Sequence, residues 1–391
     1  MIKGIQIDRF KSIRHTPQLR MSRVNLLTGA NGCGKSSFCQ TLLTLSQTWR
    51  RGLMNNLLPS GVWKELGSYD EIVFAFDKDK TIGIHIITDA ESENDFKLLF
   101  RRSEENPTLG EVLDVRVNGF RINDVSGSND SGGNSGANSE IDSSEEAIRL
   151  VSLRDFSSLM ALQRMYYVAA ERIAAPSLQL LNETTPYDYL APNGENVLNV
   201  LWKNRSIGCI EKVQEILARV LDGGRIKLEP VGDRLVLWIN SADDGNLYQP
   251  VNVGYGFSYI LSLITAVVLA PANSFIIVEN PEAHLHPSAQ AKMMNELIMA
   301  AKERGIQLVV ETHSDHVLNT ALRAVNEHRL DMDELEVLFF SNATSDDGIT
   351  EAKVRNLEVN ELGHIQNPPK QFFDQYSLDL RALYAPSKRY E

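Results

Sequence analysis

The chain is short of cysteine and of net positive charge. Its three cysteines, Cys33, Cys39 and Cys209, stand at unrelated spacings, which excludes a disulfide framework and a zinc knuckle. The 39 basic and 51 acidic side chains give a formal charge of −12. This balance argues against a protein coated in positive charge for non-specific nucleic-acid binding, although a local basic groove is compatible with it.

Long hydrophobic runs are also absent. The longest apolar stretch, at 257–270, is too short for a membrane span and predicts a buried helix. No charged-then-apolar leader follows Met1, and together with the few cysteines this predicts a cytoplasmic protein without a membrane partner. The 391 residues, 43% of them hydrophobic, suffice for a sizeable core and exclude a mainly disordered chain.

A glycine-rich segment matches the phosphate-binding pattern GxxxxGK(S/T) at every fixed position. It runs from Gly29 to Ser36, between a predicted strand at 24–27 and a predicted helix at 35–49, as the pattern requires. Glycines let backbone N–H groups turn towards phosphates, Lys35 adds a point cation, and the Ser36 hydroxyl can ligate Mg²⁺. The residues predicted to contact the nucleotide are Asn31, Gly32, Gly34, Lys35, Ser36 and Ser37.

Two more hydrophobic strands end near side chains suited to this chemistry. A phosphate loop needs an acid at the end of a neighbouring strand to hold Mg²⁺, and Glu279 ends the strand at 275–278. Glu282 follows shortly after, and His313 follows the strand at 308–310. A closing β-α-β-α alternation predicts a parallel sheet, whose strand ends share one edge. We therefore predict that Lys35 and these carboxylates converge with His313 at this edge, where Ser36 and Glu279 would hold the metal.

The remaining sequence predicts a β-rich part, a helical part and a loop. Antiparallel strands are predicted from the apolar runs at 72–76, 82–87, 96–100 and 112–117. Residues 176–221 predict mostly helix. The stretch at 126–144 is nearly all Ser, Gly, Asn and Asp, which predicts a flexible surface loop because it cannot bury enough apolar area.

In this order, the motifs resemble those of the ABC-type ATPases that include SMC, RecF and OLD-like AAA ATPases. Residues 7–13 resemble the opening strand of that group, and 279–287 resemble its extended Walker B and D-loop. Residues 312–314 resemble its switch-histidine loop, and 252–258 stand in the place of its signature motif. A group of short prokaryotic ATPases, often tied to phage-defence loci, shares further stretches with this chain: 167–172, 194–196 and 372–375.

The resemblance implies an α/β fold of the ABC/SMC-head type, a P-loop NTPase with a mixed central sheet, an antiparallel β subdomain and a helical lobe. We expect a single composite head over 1–391, divided into an N-terminal lobe at 1–125, a flexible insert at 126–146, a helical lobe at 147–250 and a C-terminal lobe at 251–391. The resemblance also implies a homodimer that holds Mg²⁺ and ATP between its subunits. The signature-like residues that would face the partner's P-loop are Gly254, Gly256 and Ser258.

One position departs from the family pattern. The usual Walker B motif ends in Asp-Glu, where the glutamate activates water, but this chain has Glu279-Asn280. An amide can orient water but cannot accept its proton. The resemblance still implies catalysis by four residues: Lys35, Glu279, Glu282 and His313. We therefore expect real but slow ATP hydrolysis, with Glu282 as the candidate substitute base.

Several functions fit this reading. The first is a nucleotide-gated switch that controls a separate effector, a nuclease or toxin, in an antiphage defence system. The alternative is a RecF-like DNA repair clamp, which leaves nucleic acid open as a partner. A transporter subunit is a third, and the missing LSGGQ sequence and Asn280 count against it.

Other residues of the chain suggest separate roles. A zinc site at His284, His286, His313 and His316 is set aside, because the resemblance explains His286 and His313 without zinc. Twelve helical residues separate Gln47 from Lys35, about 18 Å, so Gln47 is predicted to be structural or interfacial. Glu171 and Arg172 either couple the nucleotide site to the helical lobe or form a surface ion pair.

Overall fold

A computed structural model describes residues 1–52, 56–91, 94–121, 159–240, 245–369, 372–373 and 375–384. The predicted flexible insert at 126–146 lies outside these described residues. The described strands are β1 (Ile2–Phe10), β2 (Ile13–His15), β3 (Leu19–Arg20), β4 (Val24–Gly29), β5 (Asn56–Leu57), β6 (Thr81–Thr88), β7 (Asp95–Arg102), β8 (Gly110–Val117), β9 (Phe120–Arg121), β10 (Met165–Val168), β11 (Leu178–Leu180), β12 (Arg225–Val231), β13 (Arg234–Asn240), β14 (Phe275–Glu279), β15 (Gln307–Glu311), β16 (Leu335–Thr344) and β17 (Thr350–Leu357).

The described helices are α1 (Lys35–Arg50), α2 (Tyr69–Ile72), α3 (Met160–Gln163), α4 (Val197–Lys203), α5 (Cys209–Val220), α6 (Tyr255–Leu269), α7 (Pro287–Arg304), α8 (Asp315–Asn326) and α9 (Gln375–Tyr384). Within the described ranges, no helix has the length and apolar character needed to cross a membrane. The chain divides into two compact units, one of residues 1–18 and 41–163 and the other of residues 19–40 and 164–391. The finer boundaries expected from the sequence stay a prediction.

The first unit contains an antiparallel sheet in the order β2-β1-β6-β7-β8-β5. Alternate residues of β1 and β6 are buried and paired across the strands, as Ile5 with Ile86 and Ile7 with Ile84, so one face of the sheet forms a core. The strands predicted at 82–87, 96–100 and 112–117 are confirmed as β6, β7 and β8.

The strand predicted at 72–76 is wrong. The helix α2 occupies Tyr69–Ile72, and only an isolated bridge between Val73 and Phe10 follows it. The cause is a capping box, in which the Glu71 carboxylate accepts a hydrogen bond from the Ser68 N–H at 2.6 Å. This local signal outweighs the β propensity of the apolar run.

The second unit contains the sheet predicted to be parallel. Its order is β10-β14-β15-β4-β16-β17, and the first five strands run parallel while β17 is antiparallel to β16. Every residue of β14 and β15 is buried, as expected for strands covered on both faces. The helices α5, α6, α7 and α8 contribute apolar side chains to the same buried cluster. The α/β class with a mixed central sheet is confirmed.

A three-stranded sheet, β11-β13-β12, lies in the same unit. The mostly helical prediction for 176–221 is wrong over its first half, where β11 and loops precede α4. Pro176, Pro186 and Pro192 explain the difference, because each lacks the N–H that a helix interior requires. The buried apolar helix predicted within 257–270 is confirmed as α6, although it begins earlier, at Tyr255.

Candidate functional site

The carboxyl edge of the parallel sheet brings together three chain segments. The strand β4 ends at Gly29, directly before the glycine-rich loop, and β14 and β15 end at Glu279 and Glu311. Glu279 and Glu311 are direct partners in the register of these two strands. The structure therefore places two carboxylates side by side at the edge where the loop begins.

The glycine-rich loop has a backbone that only glycine accommodates at its start. Gly29 has a φ of +135°, and a Cβ there would lie 2.2 Å from the carbonyl oxygen of Phe340. Gly32 and Gly34 also have positive φ values, of 72° and 97°. These conformations let successive amides share one concave side, which is the shape that binds phosphate.

The lysine of the loop is held against the loop itself. Lys35 is 3% exposed, and its Nζ donates to the carbonyl oxygens of Gly29 at 3.0 Å and Ala30 at 2.7 Å. Asn31 and Gly32 at the loop tip are exposed. An anion bound by the loop amides would therefore meet the Lys35 charge at the start of α1, where the helix dipole adds to it.

Ser36 contacts an acid that the sequence reasoning did not assign. Its hydroxyl donates to both carboxylate oxygens of Glu311, each at 3.2 Å. Glu311 is buried, and burial together with the neighbouring Glu279 carboxylate raises its pKa from 4.5 to about 7. The available signal was its place at the end of a hydrophobic strand, the same signal that identified Glu279.

Glu279 is held by the segment that follows β10. Its Oε2 accepts hydrogen bonds from the Tyr167 hydroxyl at 3.0 Å and from the Ala170 N–H at 3.1 Å. Burial and the Glu279 carboxylate together raise the pKa of Tyr167, so the phenol stays protonated and donates. The orientation of the Glu279 carboxylate is thus fixed by two donors.

Ser36, Glu279 and Glu311 form a donor set suited to a hard divalent cation. Ligand atoms of Cys39, Glu279 and Glu311 lie within 4.8 Å of one another, and the Ser36 hydroxyl contacts Glu311. Carboxylate and hydroxyl oxygens are the ligands that Mg²⁺ prefers. Two carboxylates buried together also require positive charge nearby. These residues fit Mg²⁺.

The histidines set aside as zinc ligands belong to no such cluster in the part of the chain that the structure describes. The His286 Nδ1 accepts from the Ser288 N–H at the start of α7, at 3.4 Å. His316 lies 3.7 Å from the Asp315 carboxylate. His284 packs against Tyr259, with ring centroids 4.3 Å apart.

Glu282 and His313 are joined at the same edge. The Glu282 carboxylate accepts from the His313 N–H at 2.7 Å and from the Thr312 hydroxyl at 2.9 Å. Partial burial of the ring and the nearby Lys35 charge lower the pKa of His313, so its imidazole is neutral at pH 7. A neutral ring offers one donor and one acceptor nitrogen. His313 also lines a cavity of about 470 Å³ beside Gly29 and Ala30.

Arg172 contacts the backbone of Asn280, the residue that follows Glu279. Asn280 has a φ of +48°, and its buried Oδ1 has no hydrogen-bond partner. Arg172 is buried and donates to the carbonyl oxygens of Glu279 and Asn280, both at 2.7 Å. Arg172 is therefore not part of a surface ion pair, the second of the two roles considered for it.

The signature-like segment divides between surface and interior. Gly254 precedes α6 and is exposed, as is Tyr255 at 72%. Gly256 packs so closely that a Cβ there would lie 2.6 Å from the carbonyl oxygen of His284. Ser258 is 3% exposed. The structure thus brings the start of α6 to the surface, but not the Ser258 side chain.

Replacing Glu311 by glutamine is expected to stabilise the protein in EDTA. Between pH 4.5 and about 7, the folded protein binds more protons at Glu311 than the unfolded chain does, so stability falls as pH rises through this window. Glu311→Gln should therefore raise the free energy of unfolding by about 3 kcal/mol at pH 8 and leave it unchanged near pH 4. Denaturant titrations at both pH values measure this. A less stable variant at pH 8 would contradict it.

Comparisons with known proteins give one family match and several solved structures of similar fold. A family model described as "AAA domain, putative AbiEii toxin, Type IV TA system" matches residues 24–319. The chain is similar to an SMC head bound to the C-winged helix domain of ScpA, with a TM-score of 0.54, 16% identity and coverage of 91% of this chain and 98% of that one. It is also similar to an Smc head with an extended coiled coil, bound to the C-terminal domain of ScpA derived from Pyrococcus furiosus, with a TM-score of 0.52, 13% identity and coverage of 91% and 96%. A search of curated proteins found none similar in sequence.

Proposed function

The chain belongs to the AAA domain family whose model matches residues 24–319, and on this premise we propose that it binds ATP with Mg²⁺ and hydrolyses it slowly. It has the fold of an SMC head. The observation that carries the proposal is the meeting, at one sheet edge, of the glycine-rich loop with Lys35, the Ser36–Glu311 pair and Glu279. Phosphoryl transfer needs this combination of phosphate cradle, cation and metal-holding acid.

The metal-holding residues are Ser36, Glu279 and Glu311. When bound, Mg²⁺ neutralises charge on the phosphate oxygens. The protein's part is to present three oxygens whose directions are already fixed, since Tyr167 and Ala170 donate to Glu279 and Ser36 donates to Glu311. Such preorganisation avoids rearrangement when the ligand arrives.

Glu282 is the residue we assign to water activation. It is a carboxylate, and its bonds to the Thr312 hydroxyl and to the His313 backbone N–H fix its orientation. Asn280 contributes an unpaired amide oxygen, which can accept a hydrogen bond from water but cannot take a proton. With Glu282 accepting the proton and Asn280 only orienting the water, we expect hydrolysis at a reduced rate.

The test of this function is Mg²⁺-dependent phosphate release by the purified wild-type protein. Release is expected with ATP and Mg²⁺ and should fall to background when EDTA removes the metal, because the carboxylate pair then lacks its cation. Binding of a fluorescent ATP analogue is measured in parallel. A protein that neither binds the analogue nor releases phosphate would overturn the proposal.

We further assign the exposed start of α6 to dimerisation around ATP. Gly254 and Tyr255 are exposed there, at a helix N-terminus able to bind a phosphate on a second copy of the chain. With saturating Mg²⁺ and ATP, the Glu282→Gln variant should double its mass from 43.7 kDa in light scattering. Adding Tyr255→Arg should prevent this while retaining ATP binding.

The control for that experiment is Ile207→Arg, since Ile207 is similarly exposed, at 67%, on a different element. It should leave the ATP-dependent dimer intact. A Glu282→Gln variant that stays monomeric with bound ATP would contradict the dimer. An ATP-bound dimer unaffected by Tyr255→Arg would show that the interface does not include the start of α6.

The wider role we propose is a nucleotide-gated switch for a separate effector, a nuclease or toxin, in antiphage defence. Two observations support a partner-binding role: the matching family model carries a toxin-system description, and the SMC heads of similar fold were solved with ScpA domains bound. The DNA-clamp alternative stays a prediction, and a steeply salt-dependent affinity for duplex ends would favour it.

A further inference from the structure

A buried arginine holds the backbone at the end of β14. Arg172 is 5% exposed, and its Nη1 donates to the carbonyl oxygens of Ala169 at 2.9 Å and Glu279 at 2.7 Å. Its Nη2 donates to the carbonyl oxygen of Asn280 at 2.7 Å. Guanidinium N–H groups form a rigid planar fork. One fork that binds two consecutive carbonyls therefore fixes the peptide between them.

The same peptide is bonded on its other side. The N–H of Asn280 donates to the carbonyl oxygen of Glu311 at 2.8 Å, so the Glu279–Asn280 peptide is held at both its C=O and its N–H. Asn280 keeps a left-handed backbone conformation, which costs energy for any residue other than glycine. These bonds offset that cost.

The segment that carries Arg172 also fixes the adjoining side chain. The Tyr167 hydroxyl and the Ala170 N–H donate to the Glu279 carboxylate. Four donors from 167–172 thus converge on Glu279 and Asn280. The Arg172 guanidinium donates three hydrogen bonds, and all three go to backbone carbonyls rather than to a carboxylate. This is the pattern expected of a residue that orients the backbone.

We propose that Arg172 is a positioning residue of the ATP site: it fixes the Glu279–Asn280 peptide and thereby the directions of the metal-holding carboxylate and of the Asn280 amide. This inference rests on the proposed ATPase function. Arg172 acts through Glu279 and Asn280. Removing its fork should leave the glycine-rich loop unchanged but disorder the acid and the amide that follow β14.

The variants Arg172→Lys and Arg172→Met test this. Lysine keeps the charge but lacks the fork, and methionine keeps much of the volume but lacks both. Because small misplacements at a reacting centre cost up to about 100-fold in rate, kcat should fall about tenfold in Arg172→Lys and about 100-fold in Arg172→Met. KM for ATP should stay within about twofold, since the loop binds the phosphates separately.

A second readout does not depend on turnover. Electron paramagnetic resonance of Mn²⁺ in the presence of ATP should show metal affinity about tenfold weaker in both variants, as for the loss of an orienting outer-shell group. Binding of the fluorescent ATP analogue without divalent metal should match wild type. The control is Arg205→Lys, because the Arg205 guanidinium lies over Trp202 on the protein surface, 4.0 Å from its ring; it should change neither readout.

Three outcomes would overturn the proposal. The first is wild-type kcat and Mn²⁺ affinity in Arg172→Lys, which would mean that the fork positions nothing. The second is an equal loss of metal-free nucleotide binding, and the third is failure of both variants to fold, each of which would assign Arg172 to stability alone. Failure of the proposed function differs from all three, because the wild-type protein itself would then neither bind nor hydrolyse ATP.

Discussion

Replacing Lys35 by alanine is expected to weaken ATP binding about 100-fold and to bring phosphate release down to the level seen with EDTA. Lys35 is the buried cation of the glycine-rich loop, and its Nζ donates hydrogen bonds to two carbonyl oxygens of that loop. A charge-assisted hydrogen bond to phosphate is worth up to about 3 kcal/mol, which corresponds to a factor of about 100. Titration with a fluorescent ATP analogue measures the loss directly.

The matched control for this change is Lys227→Ala. Lys227 is an exposed lysine that pairs with Glu229 within β12, and a surface pair of this kind contributes little. Its variant should bind and hydrolyse ATP as wild type does. If Lys35→Ala bound the analogue as tightly as Lys227→Ala, the glycine-rich loop could not be the phosphate site.

The second large effect is expected at Glu282. Glu282→Gln should lower kcat about 100-fold or more, the range for removal of a general base, while ATP affinity changes little. Glutamine keeps the size of the side chain and one oxygen to accept from the His313 N–H, while its NH₂ group can donate to the Thr312 hydroxyl. It cannot take a proton from water. Single-turnover phosphate release with excess protein measures the chemical step.

Asn280→Gly provides the comparison. Glycine adopts the positive φ of Asn280 without strain, so this variant removes only the amide that orients water. A smaller loss, about tenfold, is expected. A Glu282→Gln variant that hydrolyses ATP within twofold of wild type, together with a large loss in Asn280→Gly, would assign the base role elsewhere and contradict our reading.

The convergence of the loop with Glu279 and His313 was predictable because parallel strands end at one edge of a sheet. The same rule applied to Glu311, which ends β15 as Glu279 ends β14. Its role was missed because the pairing with Ser36 depends on the three-dimensional placement of β15 beside β4. A shift of one residue in that strand would have sent the side chain to the opposite face.

The role of Arg172 could not be read from sequence for a related reason. Its partner carbonyl on Glu279 is 107 residues away, and hydrogen bonds to backbone carbonyls leave no pattern of side-chain types. Sequence alone therefore left two roles equally open, a surface ion pair and a coupling of the nucleotide site to the helical lobe. For Ser258 the sequence showed the position in the motif but not the burial. The structure places this residue in α6, where it is 3% exposed.

Asn280 is followed by Pro281, and this pair has a chemical consequence over the lifetime of the protein. Asparagine deamidates when the backbone nitrogen of the next residue attacks the side-chain amide, and proline has no N–H for that attack. Asn280 is thereby protected from conversion to aspartate, whereas Asn118, which precedes Gly119, lacks this protection. Conversion would add a charge beside Glu279 and Glu311, so the proline keeps the site chemically durable.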